Sequence, residues 1–223
     1  GIAAAFNAPI AAVTFTTEEI VGDLDHTVLS GVVVAAALAA VIERTVLGVQ
    51  PVFQIAKSYG LTHMSSLLIY AVLGVAAAMV SHVFNRGLLE LRLFFRRWKS
   101  LPGWAQPAVG AFATGVVDCI AFGAMHVEGV TGGGYAALDA ALNGKIAAHV
   151  MIALCVAKLV ATLSSYSSGG AGGIFAPALF IGGMLGGAFA FFDQFALGHT
   201  DTEIGAFALV GMGAVFAGVV RAP

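Results

Sequence analysis

The chain has 223 residues, of which 59% are hydrophobic and only 10% charged, and its mean hydropathy is +0.95. Soluble domains carry roughly 25% charged residues, so a water-soluble globular protein is excluded and a membrane protein with several helices is expected. The net charge of −2 gives nucleic acid no electrostatic footing, and Cys119 and Cys155, both in apolar runs, offer neither a disulfide framework nor metal-ligand spacing.

Gly and Pro punctuation divides the chain into apolar segments at 8–20, 27–47, 65–97, 105–123, 146–165, 174–197 and 203–219, with 1–7 reading as the end of an earlier helix. The first residues are apolar without a basic n-region, so no signal peptide is visible, and the reading is an interior stretch of a longer protein. Segment 65–97 would be roughly 50 Å long as a helix, against a hydrocarbon core of about 30 Å, so it must tilt or project into water. Uneven lengths and Gly/Pro breaks predict discontinuous helices, tolerated in lipid only where they are buried in protein or line a cavity.

Five of the ten basic residues fall at Arg86, Arg92, Arg96, Arg97 and Lys99, flanked by Trp98 and Trp104. The positive-inside rule assigns that end to the cytoplasm. Counting crossings backward puts Glu18, Glu19, Asp23 and Asp25 near the same face. Phe6-Asn7-Ala8-Pro9 and Val220-Arg221-Ala222-Pro223 each follow a small-residue apolar run, a faint echo that fits a transporter built of two related halves.

Ser167-Ser168-Gly169-Gly170-Ala171-Gly172-Gly173-Ile174-Phe175-Ala176-Pro177 is a glycine-rich turn opening into an apolar helix. Glycines allow positive φ and close approach to the backbone, and Pro177 in the first turn loses nothing by lacking an N–H. The turn is expected to aim the amides of Gly173, Ile174 and Phe175, at the positive end of the helix dipole, at one point. That would be an anion site without a cationic side chain. Glycines that merely permit tight packing are the competing reading, and Gly183 and Gly187, at GxxxG spacing, are assigned to it.

Asp118 and Lys158 lie inside apolar segments and are expected to pair with each other or reach an aqueous cavity. Glu43 and Arg44 read as headgroup anchors and Arg86–Glu90 as a surface pair. His26, His63, His82, His126, His149 and His199 lack metal-ligand spacing and read as packing residues. Glu18 and Glu19 repel one another at a helix end, which fits either a proton relay or two solvated interfacial charges.

Ser168 through Pro177 resembles the S-G-x-x-G-G-x-F-x-P signature of the CLC chloride channels and chloride/proton exchangers. Gly1 through Glu19 and Gly211 through Pro223 resemble two further stretches of that family, in matching order and spacing. The resemblance implies an all-α membrane fold of two inverted halves. Residues 1–48 would end the first half and 65–223 form most of the second, both ends being truncated within a single transmembrane domain. It implies a multi-pass protein of the bacterial inner membrane, a homodimer with a chloride path in each subunit, no cofactor, no metal and no enzymatic activity. The amides of Ile174 and Phe175, with Gly173, would coordinate the anion, supported by Ser168, Gly169, Gly172 and Pro177. Glu19, with Glu18 adjacent, would match the internal proton-transfer glutamate of exchangers. Their helix and helix 27–47 would contribute to the dimer interface. Gly170-Ala171 departs from the family's more usual pair ending in Pro, leaving a less rigid turn. A serine motif, an external gating glutamate and a late tyrosine of the family would lie outside this stretch. The expected activity is chloride/proton antiport, with a passive chloride channel as the alternative. A remote alternative is an intramembrane serine protease using Ser168 with His199 as base.

Overall fold

The computed structural model describes residues 1–22, 26–48, 63–98, 101–199 and 202–221. Asp23, Asp25, Lys99, Asp201 and the Ala222-Pro223 end of the late echo lie outside the described residues. The described chain is helical, without strands: α1 (Ile2–Phe6), α2 (Pro9–Phe15) continuing into a π-helical turn (Thr16–Val21), α3 (His26–Leu47), α4 (Ser66–Arg97), α5 (Gln106–Met125), α6 (Tyr135–Leu142), α7 (Ala148–Ser167), α8 (Phe175–Leu197) and α9 (Ile204–Val220). Five stretches are long and apolar enough to cross a membrane: Val28–Val46, Ser66–Arg97, Gly103–Met125, Ala148–Ser167 and Phe175–Leu197. The protein is an integral membrane protein of interrupted helices. The eight-residue α6 is absent from the apolar segments read in the sequence, because Tyr135–Leu142 is too short to stand out and sits between glycines.

The chain forms two compact units, one carrying α1 to α3 and the other α4 to α9. In the first, Asn7 takes a left-handed conformation (φ 49°) that ends α1, and Pro9 opens α2 at a position where no amide is needed. Ala3, Ala12 and Ala36 form its small-residue core. Arg44 Nε donates to Asn7 Oδ1 at 2.9 Å, so Arg44 pins the α1–α2 corner.

In the second unit α8 is the central helix. Its packing explains the glycines. Between helices already in lipid, apolar burial supplies little drive, and close backbone approach takes over. A Cβ at Gly182 would collide with the carbonyl of Gly211, and one at Gly186 with that of Phe207. Gly182 and Gly186 thus seat α9 directly on the α8 backbone. Gly183 and Gly187 also serve packing, against Leu138 and Met151 respectively. On α4, Ile69, Leu73, Ala77, Ser81 and Phe84 form a buried stripe at helical spacing. Ser81 Oγ donates to Val215 O at 3.1 Å, locking α4 to α9. Thr114 Oγ1 donates to Ala161 O at 3.1 Å, joining α5 to α7.

Candidate functional site

The glycine-rich turn joins α7 to α8, and its glycines divide into two jobs. Gly169 has φ +92°, a conformation that a Cβ strains. Its amide donates to Tyr166 O at 3.2 Å, and that of Gly170 to Ser165 O, also at 3.2 Å, closing α7. A Cβ at Gly170 would lie 2.7 Å from the Ser165 carbonyl. These two glycines shape the turn. Gly172 and Gly173 are different: a Cβ on either would meet nothing within 4 Å, and both are exposed. Internal packing gives no reason for their being glycine.

The amides of Gly172, Gly173 and Ile174 make no hydrogen bond to a main-chain carbonyl of the described residues. Ile174 caps α8, and Ala178 N returns to Ile174 O at 3.0 Å. Pro177, third in the helix, removes one amide from the first turn. The Phe175 ring lies 5.2 Å from that of Phe216, which anchors the start of α8 to α9. Ser168 is only 2% exposed and donates through Oγ to Ser165 O at 2.8 Å. Gly110 of α5 leaves the space it occupies. Ser168 is therefore a structural support within the turn, which leads into the positive terminus of α8. Such a terminus can hold an anion with dipoles alone.

Glu18 and Glu19 belong to the first unit. Both are exposed on the π-helical turn after α2, where Thr17 Oγ1 donates to Val13 O at 3.0 Å and Thr14 O at 2.9 Å.

Of the two expectations for Asp118 and Lys158, pairing with each other is not what is found, whereas Asp118 does reach a cavity. Lys158 is 2% exposed and its Nζ donates to the carbonyls of Gly129, Val130 and Gly132 at 3.1, 2.8 and 2.7 Å. Three carbonyl dipoles replace the water its ammonium has lost. Asp118 accepts from Thr131 Oγ1 at 3.1 Å and lines a cavity of about 550 Å³ with Glu128 and Tyr135. Both charges fix the α5–α6 connection. Arg86 and Glu90 do pair, at 2.7 Å.

The other end of α8 carries a polar knot that the sequence reading missed. Asp193 is 0% exposed, and its Oδ2 lies 3.0 Å from His199 Nδ1 and accepts from Thr202 Oγ1 at 2.6 Å. Ser66 Oγ stands 3.2 Å from His199 Nδ1 and Ser65 Oγ 3.2 Å from Nε2. The His63 ring stacks on His199 with centroids 4.0 Å apart. Asp193 Oδ1 and Glu203 Oε2 are buried with no partner. The signal for the knot was Asp193 itself, a carboxylate near the end of an apolar run.

This knot removes the protease reading. His199 lies beyond one end of α8 and Ser168 before the other, and 23 helical residues span roughly 34 Å. Nor do Ser65, His199 and Asp193 make a hydrolytic site, since the amides of Ser66, Leu67 and Leu68 are spent on the carbonyls of His63, Met64 and Ser65. Those three amides are thus not free to hold an oxyanion. Among the described residues no group of three or more His, Cys, Asp or Glu side chains is placed to hold a metal ion.

The model of the family described as voltage gated chloride channel matches residues 1–223. The chain belongs to this family. Among its relatives, it is 32% identical over 225 residues to the H(+)/Cl(-) exchange transporter ClcA of Vibrio campbellii, an alignment covering 100% of this chain and 47% of that protein. It is 31% identical over 225 residues to the transporter of the same name from Vibrio cholerae, with the same coverage. With that of Yersinia pestis it shares 30% over 230 residues, covering 100% of this chain and 46% of the relative. The chain spans about half the length of the curated relatives it matches. The family's helical membrane fold agrees with the all-helical architecture described above.

Proposed function

We propose that the protein to which this chain belongs exchanges chloride for protons across a membrane, and that the α7–α8 turn holds the anion on the backbone amides of Gly173, Ile174 and Phe175. The observation that carries this reading is the exposed main chain at Gly172 and Gly173, where the absence of side chains serves no contact within the fold. Ser168, Gly169 and Pro177 hold that main chain in place. The names of the bacterial relatives support antiport over passive conduction, and a location in a bacterial inner membrane belongs to the same reading. Chloride and protons are then the only substrates, with no cofactor and no catalysed bond chemistry.

The proton step is assigned to Glu19, whose carboxylate is exposed on the π-helical turn after α2. The division into two compact units supports reading 1–48 as the end of one repeat half and 65–223 as most of the other. A homodimer in which α2 and α3 contribute to the interface belongs to the same reading.

The test uses the full-length protein in vesicles. An outward chloride gradient should drive proton movement against its own gradient. Chloride flux without any proton movement would convert the assignment to a passive channel. Glu19→Gln should slow proton movement at least about tenfold while anion flux persists, the size expected of losing one positioned proton carrier. Equal loss of both fluxes would make Glu19 a structural residue.

A further inference from the structure

The last turns of α4 carry exposed side chains beyond the helix's buried stripe. The buried stripe of this 32-residue helix stops at Phe84, and beyond it only Phe95 is buried. The glycine-rich turn sits level with the start of this stretch, since Ser167 Oγ donates to Leu88 O at 3.3 Å. Arg97 follows nine residues later, roughly 14 Å further along the axis. That is about half of a 30 Å hydrocarbon core, so a turn near the midplane brings Arg96 and Arg97 to the headgroups.

The side chains fit that depth. Arg86 is neutralised by Glu90, but the exposed Arg92, Arg96 and Arg97 make no ion pair with any described residue. Arg92 and Arg96 are one helical turn apart and therefore neighbours. Leu89 and Leu93 are exposed beside them, and the Phe94 ring lies 5.6 Å from that of Trp98. Trp104 is 84% exposed just after the turn. Gln106 Nε2 donates to Phe95 O at 3.1 Å, which ties the start of α5 to the end of α4 and keeps Trp104 at this level. Leucines for acyl chains, tryptophans for the interface and paired guanidinium forks for phosphate occur together on one surface.

We propose that Arg92 and Arg96, aided by Arg97, bind the phosphodiester headgroup of an acidic phospholipid in the cytoplasmic leaflet. The guanidinium forks of Arg92 and Arg96 converge on the phosphate oxygens, and the acyl chains lie along Leu89 and Leu93. Net negative charge on the lipid is what the three unneutralised arginines select.

The test is native mass spectrometry of the full-length protein with phosphatidylglycerol or phosphatidylcholine added at equal concentration. The wild type should retain phosphatidylglycerol in preference, and each arginine replaced by Gln should cut that retention about fivefold. Arg92→Lys with Arg96→Lys keeps the charge without the fork and should fall between. Equal retention of the two lipids by the wild type would overturn the proposal, as would undiminished phosphatidylglycerol on the R92Q/R96Q protein. Should the double variant fail to fold, the wild type's thermal midpoint decides. A rise with phosphatidylglycerol alone supports the site, and equal rises with both lipids defeat it.

Discussion

The two ends of α8 are built in opposite ways. At its start the main chain is open, the amides of Gly173 and Ile174 have no main-chain acceptor among the described residues, and Gly172 and Gly173 offer no side chain. Around its other end, Asp193 within the last turns of α8 is tied with His199, Thr202, Ser65 and Ser66, and its carboxylate has no exposure. One end leaves amides without main-chain partners, while the other holds a buried carboxylate through Asp193 Oδ2, with Asp193 Oδ1 and Glu203 Oε2 unpartnered. The open end is where the proposed function places the anion, and the ties of the closed end fit anchorage.

The largest loss of stability is expected at the closed end. Asp193→Ala leaves the donors of His199 and Thr202 without their buried acceptor, and stability should fall by about 3 kcal/mol, the scale of losing one partner of a buried pair. Thermal unfolding of the full-length protein in detergent would read this. A midpoint close to wild type would show that the knot is not an anchor. Asp193→Asn, which keeps an acceptor oxygen, should lose clearly less.

The next effect lies in the turn, where the glycines can be set against one another. Gly170→Ala puts a Cβ within 2.7 Å of the Ser165 carbonyl. Main chain cannot yield there cheaply, so a loss of about 1–3 kcal/mol is expected. Ser65→Ala removes a single bond at the half-open edge of the knot, and about 1 kcal/mol should go with it. If Ser65→Ala proved as harmful as Asp193→Ala, the carboxylate would not be the centre of the cluster.

Much of this architecture was written in hydropathy. The long helices were legible because apolar runs bounded by Gly and Pro in lipid leave few alternatives, and α3, α4 and α8 fall close to the segments read from the sequence. Helix α6 was not, because eight residues carry too little periodicity. The glycines of the turn were recognisable as a group, but not their division of labour: Gly170 is crowded and Gly173 is not, and only the distance to Ser165 separates them. Likewise GxxxG spacing pointed to Gly183 and Gly187, while the closest backbone approach falls one residue earlier, at Gly182 and Gly186. Spacing defines a helix face only to within a residue, and which face meets α9 is decided by packing. Lys158 shows the same limit. Its burial was foreseeable, but its three carbonyl partners come from a connection whose glycines mark a turn without showing what the turn's carbonyls bind.

Gly173→Ala should have the smallest effect on stability and the most to say about function. A Cβ there meets nothing within 4 Å, and the residue is exposed without a positive φ, so stability should change by less than about 0.5 kcal/mol. If the open main chain is the anion site, the same methyl group stands where the ion must approach the amides. Anion affinity should then fall about tenfold or more, the cost of displacing the ion from one charge-assisted hydrogen bond. Calorimetric titration of the full-length protein with chloride measures this directly, and Gly170→Ala provides the contrast. A fold-driven turn predicts that the two variants lose affinity in proportion to their loss of stability. A ligand-driven turn predicts the reverse order, with Gly173→Ala stable and weak-binding and Gly170→Ala unstable but, where it remains folded, still able to bind. Unchanged affinity in Gly173→Ala would move the anion away from this end of α8 and leave the two glycines without a function.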